Sequence, residues 1–203
     1  MKDLPPSRHQ GLTVGVLALQ GDFIEHIRML RQLGARAVEV RQKKDLSRLQ
    51  GLIIPGGEST TIGQLAHDYG LIEPLRRFAL KKPVWGTCAG MIFLAKKINA
   101  DQPLLGVMDI DVHRNAFGRQ VDSFAENIIV TPFRQKGQKP FPAIFIRAPK
   151  LVGVNGEATV IARLKNKTAV AAREGKWLVT AFHPELTDDL RFHLYFLEMI
   201  AEK

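Results

Sequence analysis

Apolar and polar positions alternate along the first half of the chain with two different periods. The segments 12–19 (LTVGVLAL) and 51–54 (GLII) are almost continuously apolar, which is typical of strands that are covered on both faces. Between them, residues 23–33 carry apolar side chains at helical spacing. Asp22 stands where an N-cap is expected and Gly34 where a helix ends, so the pattern predicts a strand, a helix and further strands in succession.

The second half of the chain follows a different pattern. Short β-like runs separated by turn residues occupy 103–182, and a final helix over about 188–201 is predicted with Thr187 or Asp188 as its cap. The remaining predicted elements are strands at 35–40, 84–85, 105–112, 127–131, 143–147, 151–154, 158–164, 168–172 and 177–182, and helices at 62–66 and 71–80. The fold class that follows is α/β: a three-layer sandwich, flavodoxin-like, with a mixed central sheet.

A tight turn at the end of one predicted strand carries candidate chemistry. The chain passes from the strand 84–85 through residues 86–90 (GTCAG) into a helix-favouring run at 91–95. A strand, a Gly-x-nucleophile-x-Gly turn and a helix together form a nucleophile elbow, which holds Cys88 in a strained, exposed backbone position. The start of the helix also favours the thiolate form of the cysteine. A lone cysteine is usually a small buried apolar residue, so the catalytic interpretation depends on the flanking glycines.

A second glycine-containing loop follows the predicted strand 51–54. Its sequence, PGGESTT over 55–61, exposes backbone N–H groups at a strand end, and Ser59 or Thr60 is in position to cap the next helix. Two interpretations stay open from these residues: an oxyanion hole with a substrate clamp, or a tight turn before a capped helix. No Gly-Lys-Ser/Thr sequence follows, so the loop is not a phosphate loop.

A cysteine nucleophile needs a base, and the chain offers six histidines. His183 ends the predicted strand 177–182, at the kind of strand end where α/β proteins place catalytic groups. Pro184 keeps the preceding residue extended, and Glu185 is close enough to hold the second ring nitrogen. The other five lie in the N-terminal tail, in predicted helices as surface or packing residues, or after a strand: His9, His26, His67, His113 and His193. Cys88, His183 and Glu185 are therefore the predicted catalytic triad.

Composition limits the cellular setting and the partners. A chain of 203 residues with 45% hydrophobic positions suits one domain, predicted at 12–203 after a flexible tail at 1–11. The tail has no apolar signal region, no apolar run approaches the roughly 20 residues of a membrane span, and the single cysteine indicates a reducing, cytoplasmic setting. The net charge of +9 comes from scattered basic residues without interleaved aromatic residues. That pattern favours a surface that attracts an acidic partner over nucleic-acid binding.

The residues around the triad resemble the triad (class I) glutamine amidotransferases, and six segments narrow the resemblance to the glutaminase subunit of pyridoxal 5′-phosphate synthase. The six segments are 17–21 (LALQG), 55–61 (PGGESTT), 86–91 (GTCAGM), 114–120 (RNAFGRQ), 145–149 (FIRAP) and 182–187 (FHPELT). They are spread over almost the whole chain. The chain departs from the family pattern at Ala125 and Ala181 and in its longer N-terminal tail, and none of these positions belongs to the triad.

The resemblance implies a reaction and the residues that perform it. Cys88 would attack the side-chain amide of L-glutamine, His183 would move the protons and Glu185 would orient the imidazole. Glutamate and ammonia would form through a glutamyl thioester, with backbone N–H groups of Gly57 and Ala89 as the oxyanion hole. The positions that would contact glutamine are Gly57, Glu58, Ser59, Arg114, Ile146 and Arg147.

The resemblance also implies partners. Ammonia would pass to a synthase (lyase) subunit with a (β/α)₈ barrel fold, within a large hetero-oligomer, and no cofactor, metal, nucleic acid or membrane is expected to take part. Three alternatives stay open: a triad glutaminase of another pathway such as histidine or guanylate biosynthesis, a related flavodoxin-like cysteine protein, and a non-catalytic scaffold partner. The segment 114–120 and the pair 146–147 argue against the first, and the intact triad argues against the last. Ala89 stands where the second class usually has a histidine.

Overall fold

The backbone hydrogen bonds of the computed structural model define the elements over residues 10–114, 123–133 and 139–202, which are the residues that the structure describes. The strands of this part are β1 (Thr13–Leu17), β2 (Arg36–Val40), β3 (Gly51–Ile54), β4 (Val84–Thr87), β5 (Ala95–Ile98), β6 (Met108–His113), β7 (Ser123–Val130), β8 (Phe141–Ile146), β9 (Lys150–Val154), β10 (Thr159–Arg163), β11 (Ala169–Glu174) and β12 (Trp177–Thr180). Its α-helices are α1 (Phe23–Gln32), α2 (Ser59–Asp68), α3 (Ile72–Ala79), α4 (Ala89–Leu94) and α5 (Arg191–Ala201), and short 3-10 helices lie at Lys43–Leu46, Thr131–Phe133 and Pro184–Leu186.

The central sheet has nine strands in the order β2-β1-β3-β4-β12-β11-β10-β7-β8. The first five of these run parallel to their neighbours, and the remaining pairs are antiparallel. The sheet is therefore mixed, as predicted. A smaller sheet has the order β5-β6-β9.

Neighbouring residues of β4 point to opposite faces of the central sheet, and each face is covered by a helix. The Trp85 ring is fully buried and packs against Phe192 and His193 of α5. A Cβ added at the next residue, Gly86, would overlap the backbone of Gly90 in α4. Helices thus lie on both faces of the sheet, and the prediction of a three-layer α/β sandwich is confirmed.

Strand β5 was not predicted. The apolar run 91–95 was predicted to continue as a helix, but α4 ends at Leu94. The backbone becomes extended at Ala95, which pairs in parallel with Met108 of β6. The partner strand supplies the hydrogen bonds that make an extended conformation favourable, and a local pattern carries no information about that partner.

The predicted cap of α2 is wrong. Glu58, rather than Ser59 or Thr60, caps α2, because its carboxylate accepts hydrogen bonds from the backbone N–H groups of Thr60 and Thr61. The Ser59 hydroxyl instead donates to the side-chain oxygen of Gln102, 3.2 Å away.

The final helix also begins later than predicted, at Arg191 with Leu190 in the cap position. The Thr187 hydroxyl donates instead to the carbonyl of Pro184, which ties it to the 3-10 helix before α5.

Some predictions fall outside the described residues. These are most of the tail (1–9), the part of segment 114–120 after Arg114, and residues 134–138, between the predicted strands 127–131 and 143–147. Among the described helices, none has the length and apolar content that a membrane crossing requires.

The contact between α4 and β3 leads to a first prediction. A Cβ at Gly90 would overlap the backbone carbonyl of Ile54, which belongs to a buried central strand and has no room to move. We expect Gly90→Ala to lower the free energy of unfolding by more than about 3 kcal/mol. Gly175→Ala is the control, since Gly175 has a φ of 53° but open space around it, and its cost is expected at about 1–2 kcal/mol. Urea denaturation measures both, and equal losses would contradict the overlap.

Candidate active site

Four strands of the parallel half of the sheet end at the same edge and supply the candidate site. The chain leaves β1 through Gln20, Gly21 and Asp22, and it leaves β3 through 56–57. Cys88 directly follows β4, and His183 comes shortly after β12. Because carboxyl ends of parallel strands meet at one edge, residues from distant parts of the sequence are brought together here.

Cys88 occupies a backbone conformation that side-chain-bearing residues rarely adopt. Its φ is 47° and its ψ is −103°. The turn is held by a hydrogen bond of 2.8 Å from its backbone N–H to the carbonyl of Thr180, and its side chain is only 7% exposed. The sulfur lies 4.0 Å from the carbonyl oxygen of Ile146. This is the geometry of a nucleophile elbow, with the sulfur directed to the strand-end edge.

His183 is held between two carboxylates. Its Nδ1 lies 2.7 Å from Oε1 of Glu185 and 3.4 Å from Oδ2 of Asp22. Its ring also packs so closely against Gly56 that a Cβ at that position would overlap the ring. Burial alone lowers the pKa of His183, but hydrogen bonds with Asp22, Cys88 and Glu185 outweigh burial and raise the pKa to about 12. The ring is therefore an imidazolium at neutral pH.

Asp22 was expected only as a helix cap. It stands at the N-cap position of α1, yet its side chain makes no capping hydrogen bond and faces His183 instead. Ligand atoms of Asp22, His183 and Glu185 lie within 4.8 Å of one another, which is close enough for a metal ion. The 2.7 Å hydrogen bond between two of them is, however, the arrangement of an oriented catalytic imidazole.

Glu185 is buried almost completely, at 5% exposure. Burial raises the pKa of its carboxyl group, and the hydrogen bond with His183 acts in the opposite direction. Its second oxygen, Oε2, lies 3.3 Å from Nε2 of His26, a fully buried histidine of α1. The sequence placed His26 in a helix as a surface or packing residue, so its place behind the site was missed. His26 and Glu185 come from opposite ends of the chain, and no local pattern records their contact.

Three of the predicted glutamine-contacting residues, Glu58, Ser59 and Arg114, belong to one hydrogen-bonded group. One guanidinium nitrogen of Arg114 lies 3.2 Å from Oε1 of Glu58, and the other donates to Thr60 and Gln102 at 3.0 and 2.8 Å. Gln102 also bonds the hydroxyl and the carbonyl of Ser59. Gln102 follows a predicted helix in a stretch with no motif, and therefore sequence reasoning did not find it.

The remaining predicted contacts lie on either side of the cysteine. Gly57 directly follows Gly56 at the end of β3, and the side-chain oxygen of Gln20 accepts from the next backbone N–H, that of Glu58, at 2.8 Å. Ile146 ends β8 with its side chain 38% exposed, and Arg147 has a φ of 43°. The contacts of Cys88 with Ile146, of His183 with Gly56 and of Glu58 with Arg114 thus bring these segments together.

The contact between Asp22 and His183 leads to a second prediction. Replacing Asp22 by asparagine removes a negative charge from the imidazolium, so the pKa of His183 should fall from its raised value. Nitrogen-15 NMR at about pH 9 should show a fully protonated ring in the wild type and a larger neutral fraction in Asp22→Asn. Asp68→Asn removes a similar carboxylate from the exposed His67 and should leave the His183 signals unchanged. Identical spectra for all three proteins would contradict a role for Asp22.

The comparisons with known proteins agree with this geometry. The model of the SNO glutamine amidotransferase family matches residues 16–202. A pyridoxal 5′-phosphate synthase subunit PdxT from Carboxydothermus hydrogenoformans is 51% identical over 94% of this chain and 99% of its own length. A protein of the same name from Dehalococcoides mccartyi is 54% identical over 94% and 98%.

Solved structures support the same grouping. A crystal structure described as that of a glutamine amidotransferase superposes with a TM-score of 0.85 at 49% identity, covering 93% of this chain and 98% of the other. A protein from Thermoplasma acidophilum, described as a component of GMP synthase, covers 96% of each chain at a TM-score of 0.69 and 17% identity, and it shares the fold. With a family match over nearly its whole length, the chain belongs to the SNO glutamine amidotransferase family.

Proposed function

We propose that this chain is the glutaminase subunit of a pyridoxal 5′-phosphate synthase and that Cys88, His183 and Glu185 are its catalytic triad. The observation that carries the proposal is the elbow geometry at Cys88 beside an imidazole whose Nδ1 is held 2.7 Å from a buried carboxylate. Relatives 51–54% identical over almost their full length carry the name of that subunit.

The first half-reaction makes a thioester and releases ammonia. The proposed mechanism assigns the thiol proton to His183, so that the sulfur of Cys88 attacks the side-chain amide carbon of glutamine as a thiolate. The C–S bond forms while the carbonyl electrons move to oxygen, and backbone N–H groups of Gly57 and Ala89 are the proposed donors to that oxyanion. The C–N bond then breaks, and His183 gives its proton to the departing nitrogen, which leaves as ammonia.

The second half-reaction returns the enzyme to its starting state. A water molecule attacks the glutamyl thioester and passes a proton to the now neutral His183. The C–S bond breaks, glutamate leaves, and the thiolate of Cys88 is restored beside the imidazolium. Glu185 keeps Nδ1 protonated through both halves, so that Nε2 is the nitrogen that exchanges protons with sulfur, ammonia and water.

The residues beside the elbow are the proposed glutamine-binding group. The guanidinium of Arg114 presents the fork geometry that a substrate α-carboxylate accepts, and Glu58 supplies a negative charge for the α-amino group. Ser59, Ile146 and Arg147 complete the group. In this structure Glu58 and Arg114 form a partly exposed ion pair with an N–O distance of 3.2 Å. Glutamine would replace this pair, since its α-carboxylate would bind Arg114 and its α-amino group would bind Glu58.

The proposal also covers the partner and the setting. Ammonia would be delivered to the synthase (lyase) subunit with its (β/α)₈ barrel, in a large hetero-oligomer, and the glutaminase chemistry needs no cofactor or metal of its own. Residues 12–203 would act as one glutaminase domain. A free catalytic thiol suits the reducing cytoplasm. The likeness to a GMP synthase component is at 17% identity and concerns the fold, so it does not favour the guanylate pathway.

The third prediction tests the activity and the pathway together. Glutamate release from L-glutamine should rise when a pyridoxal phosphate synthase lyase subunit is added, and Cys88→Ala should abolish it by removing the nucleophile. His183→Asn should lower turnover by several orders of magnitude, about 10³-fold or more. His67→Asn changes an exposed histidine on α2 and should leave turnover unaltered.

Three outcomes of this assay would overturn parts of the proposal. Hydrolysis that is indifferent to the lyase subunit would retain the triad and reassign the pathway. Hydrolysis that survives in Cys88→Ala would remove the cysteine from the mechanism. No hydrolysis by the wild type in the presence of the lyase subunit would leave a scaffold protein.

The fourth prediction concerns substrate binding. Arg114→Gln removes the charge proposed to hold the α-carboxylate of glutamine, so KM should rise about 10- to 100-fold with a smaller effect on kcat. Arg163→Gln is the control, because Arg163 is exposed and bonds the carbonyl of Lys167, outside the site. Steady-state kinetics with the lyase subunit present measure both variants. An unchanged KM in Arg114→Gln would assign the α-carboxylate to another group, such as Arg147.

A further inference from the structure

Two fully buried histidines that the proposed mechanism does not use lie directly behind the triad. His26 of α1 and His193 of α5 are both 0% exposed. Nδ1 of His26 lies 2.9 Å from Nε2 of His193, and Nε2 of His26 lies 3.3 Å from both Oε2 of Glu185 and the hydroxyl of Thr87. The chain of contacts therefore runs from α5 through α1 to the side of Glu185 that faces away from His183.

The two oxygens of Glu185 have different surroundings. Oε1 is bonded to His183 at 2.7 Å. Oε2 is fully buried, and no described group bonds it with good hydrogen-bond geometry, while the His26 ring nitrogen lies 3.3 Å away. A buried carboxylate oxygen that lacks a hydrogen-bond donor lowers the stability of the fold. Whether Nε2 of His26 carries a proton therefore determines how well Glu185 is held.

Only one arrangement of protons on the two rings serves the carboxylate. If Nε2 of His26 carries its proton, Nδ1 of His26 must accept, and Nε2 of His193 must donate to it. That arrangement leaves Nδ1 of His193 as an unprotonated acceptor. Nδ1 of His193 is indeed the ring atom that is buried without a partner among the described residues, and an unpaired acceptor is more readily tolerated than an unpaired N–H group. The opposite arrangement would place a lone pair against Oε2 and bury an unpaired N–H.

The pair is also uncharged. Burial, followed by the neighbouring His193 and His183, lowers the pKa of His26 well below its ordinary value, and burial lowers the pKa of His193 to about 3. Two neutral rings can orient Glu185 without competing for its negative charge. The titratable groups that face the pair are Glu185 and His183, and both belong to the site already described.

The rings themselves have little freedom to turn. Trp85 packs edge to face against both, with ring centroids 5.5 Å from His26 and 4.9 Å from His193. Since Trp85 is fully buried in β4, the two imidazoles are fixed against the same strand that ends in Cys88.

We propose that His26 and His193 are positioning residues. His193 orients the neutral ring of His26 through a hydrogen bond, and the close polar contact of His26 with the outer oxygen of Glu185 keeps Glu185 aligned with His183. The inference rests on the proposed triad, since it assigns these histidines to the function of Glu185. Neither residue touches glutamine, so they should affect turnover rather than substrate binding.

The test compares variants that remove the donor with variants that keep it. His26→Leu and His193→Phe replace the imidazole by an apolar side chain and so remove its N–H group. His26→Gln and His193→Gln instead keep an N–H donor, that of the amide, near the position of Nε2. His67→Leu is the exposed control. With the lyase subunit present, we expect kcat for glutamate release to fall about 10- to 100-fold in His26→Leu and His193→Phe with KM unchanged. The glutamine variants should recover most of that loss.

A second readout does not depend on glutaminase activity. Cys88 is the single cysteine of the chain, so the rate of alkylation by iodoacetamide reports its thiolate directly. Measured between about pH 5 and pH 9, the midpoint of alkylation should move to higher pH in His26→Leu and His193→Phe, because a poorly held Glu185 supports the imidazolium less well. The glutamine variants should stay near the wild type.

The two readouts separate failure of this inference from failure of the proposed function. Absence of glutamate release by the wild type would refute the glutaminase proposal, while the alkylation profiles would still decide whether the histidines act on the triad. Wild-type kcat and alkylation midpoints in folded donor-removing variants would overturn the positioning role. A glutamine variant as impaired as its apolar counterpart would assign the loss to packing and also overturn it. If His26→Leu does not fold, the His193 pair decides the question.

Discussion

The position of the Cys88 sulfur depends on a backbone conformation that residues with a side chain rarely adopt. At φ 47° and ψ −103°, Cys88 carries a conformational cost on the order of 1–3 kcal/mol, which the surrounding structure must offset. Strand β4 is hydrogen-bonded on both sides, by β3 and β12, and α4 returns so close to the sheet that only glycine fits at 86 and 90. The buried centre of the protein thus holds the elbow in place.

The same core carries an unusual amount of buried polar chemistry. His183, Glu185, His26 and His193 are all buried, and they connect the strand ends to α1 and α5 by hydrogen bonds and close polar contacts. In an apolar environment each such contact is strong when made and costly when broken. This combination explains how a single imidazole can be kept in one orientation and in one protonation state beside the cysteine.

The proposed glutamine-binding group follows a different physical rule. Glu58, Arg114 and Gln102 bind one another near the surface, where the Glu58 and Arg114 side chains are 51% and 24% exposed. Ion pairs in such surroundings contribute only about 0–1 kcal/mol to stability. Charged partners can therefore be exchanged there at little cost, while Cys88, His183 and Glu185 stay enclosed by the core. A member of the glutamine amidotransferase family needs both properties, because it must admit a charged amino acid and still hold its nucleophile.

Local patterns in the sequence were enough for the order of most strands and helices, for the cysteine elbow and for the pairing of His183 with Glu185. Each of these is visible within a short stretch, as apolar periodicity, as glycines around residue 88 or as a histidine and a glutamate two positions apart. Four features were not predictable in this way: the cap of α2 by Glu58, the strand β5, the orientation of Asp22 towards His183 and the contact of Gln102 with Arg114. They depend on partners that approach only when the sheet is assembled. His26 and His193 make the point most clearly: they are 167 positions apart, each occupies an ordinary helix, and only the packing of α1 and α5 on one face of β4 brings them together behind Glu185.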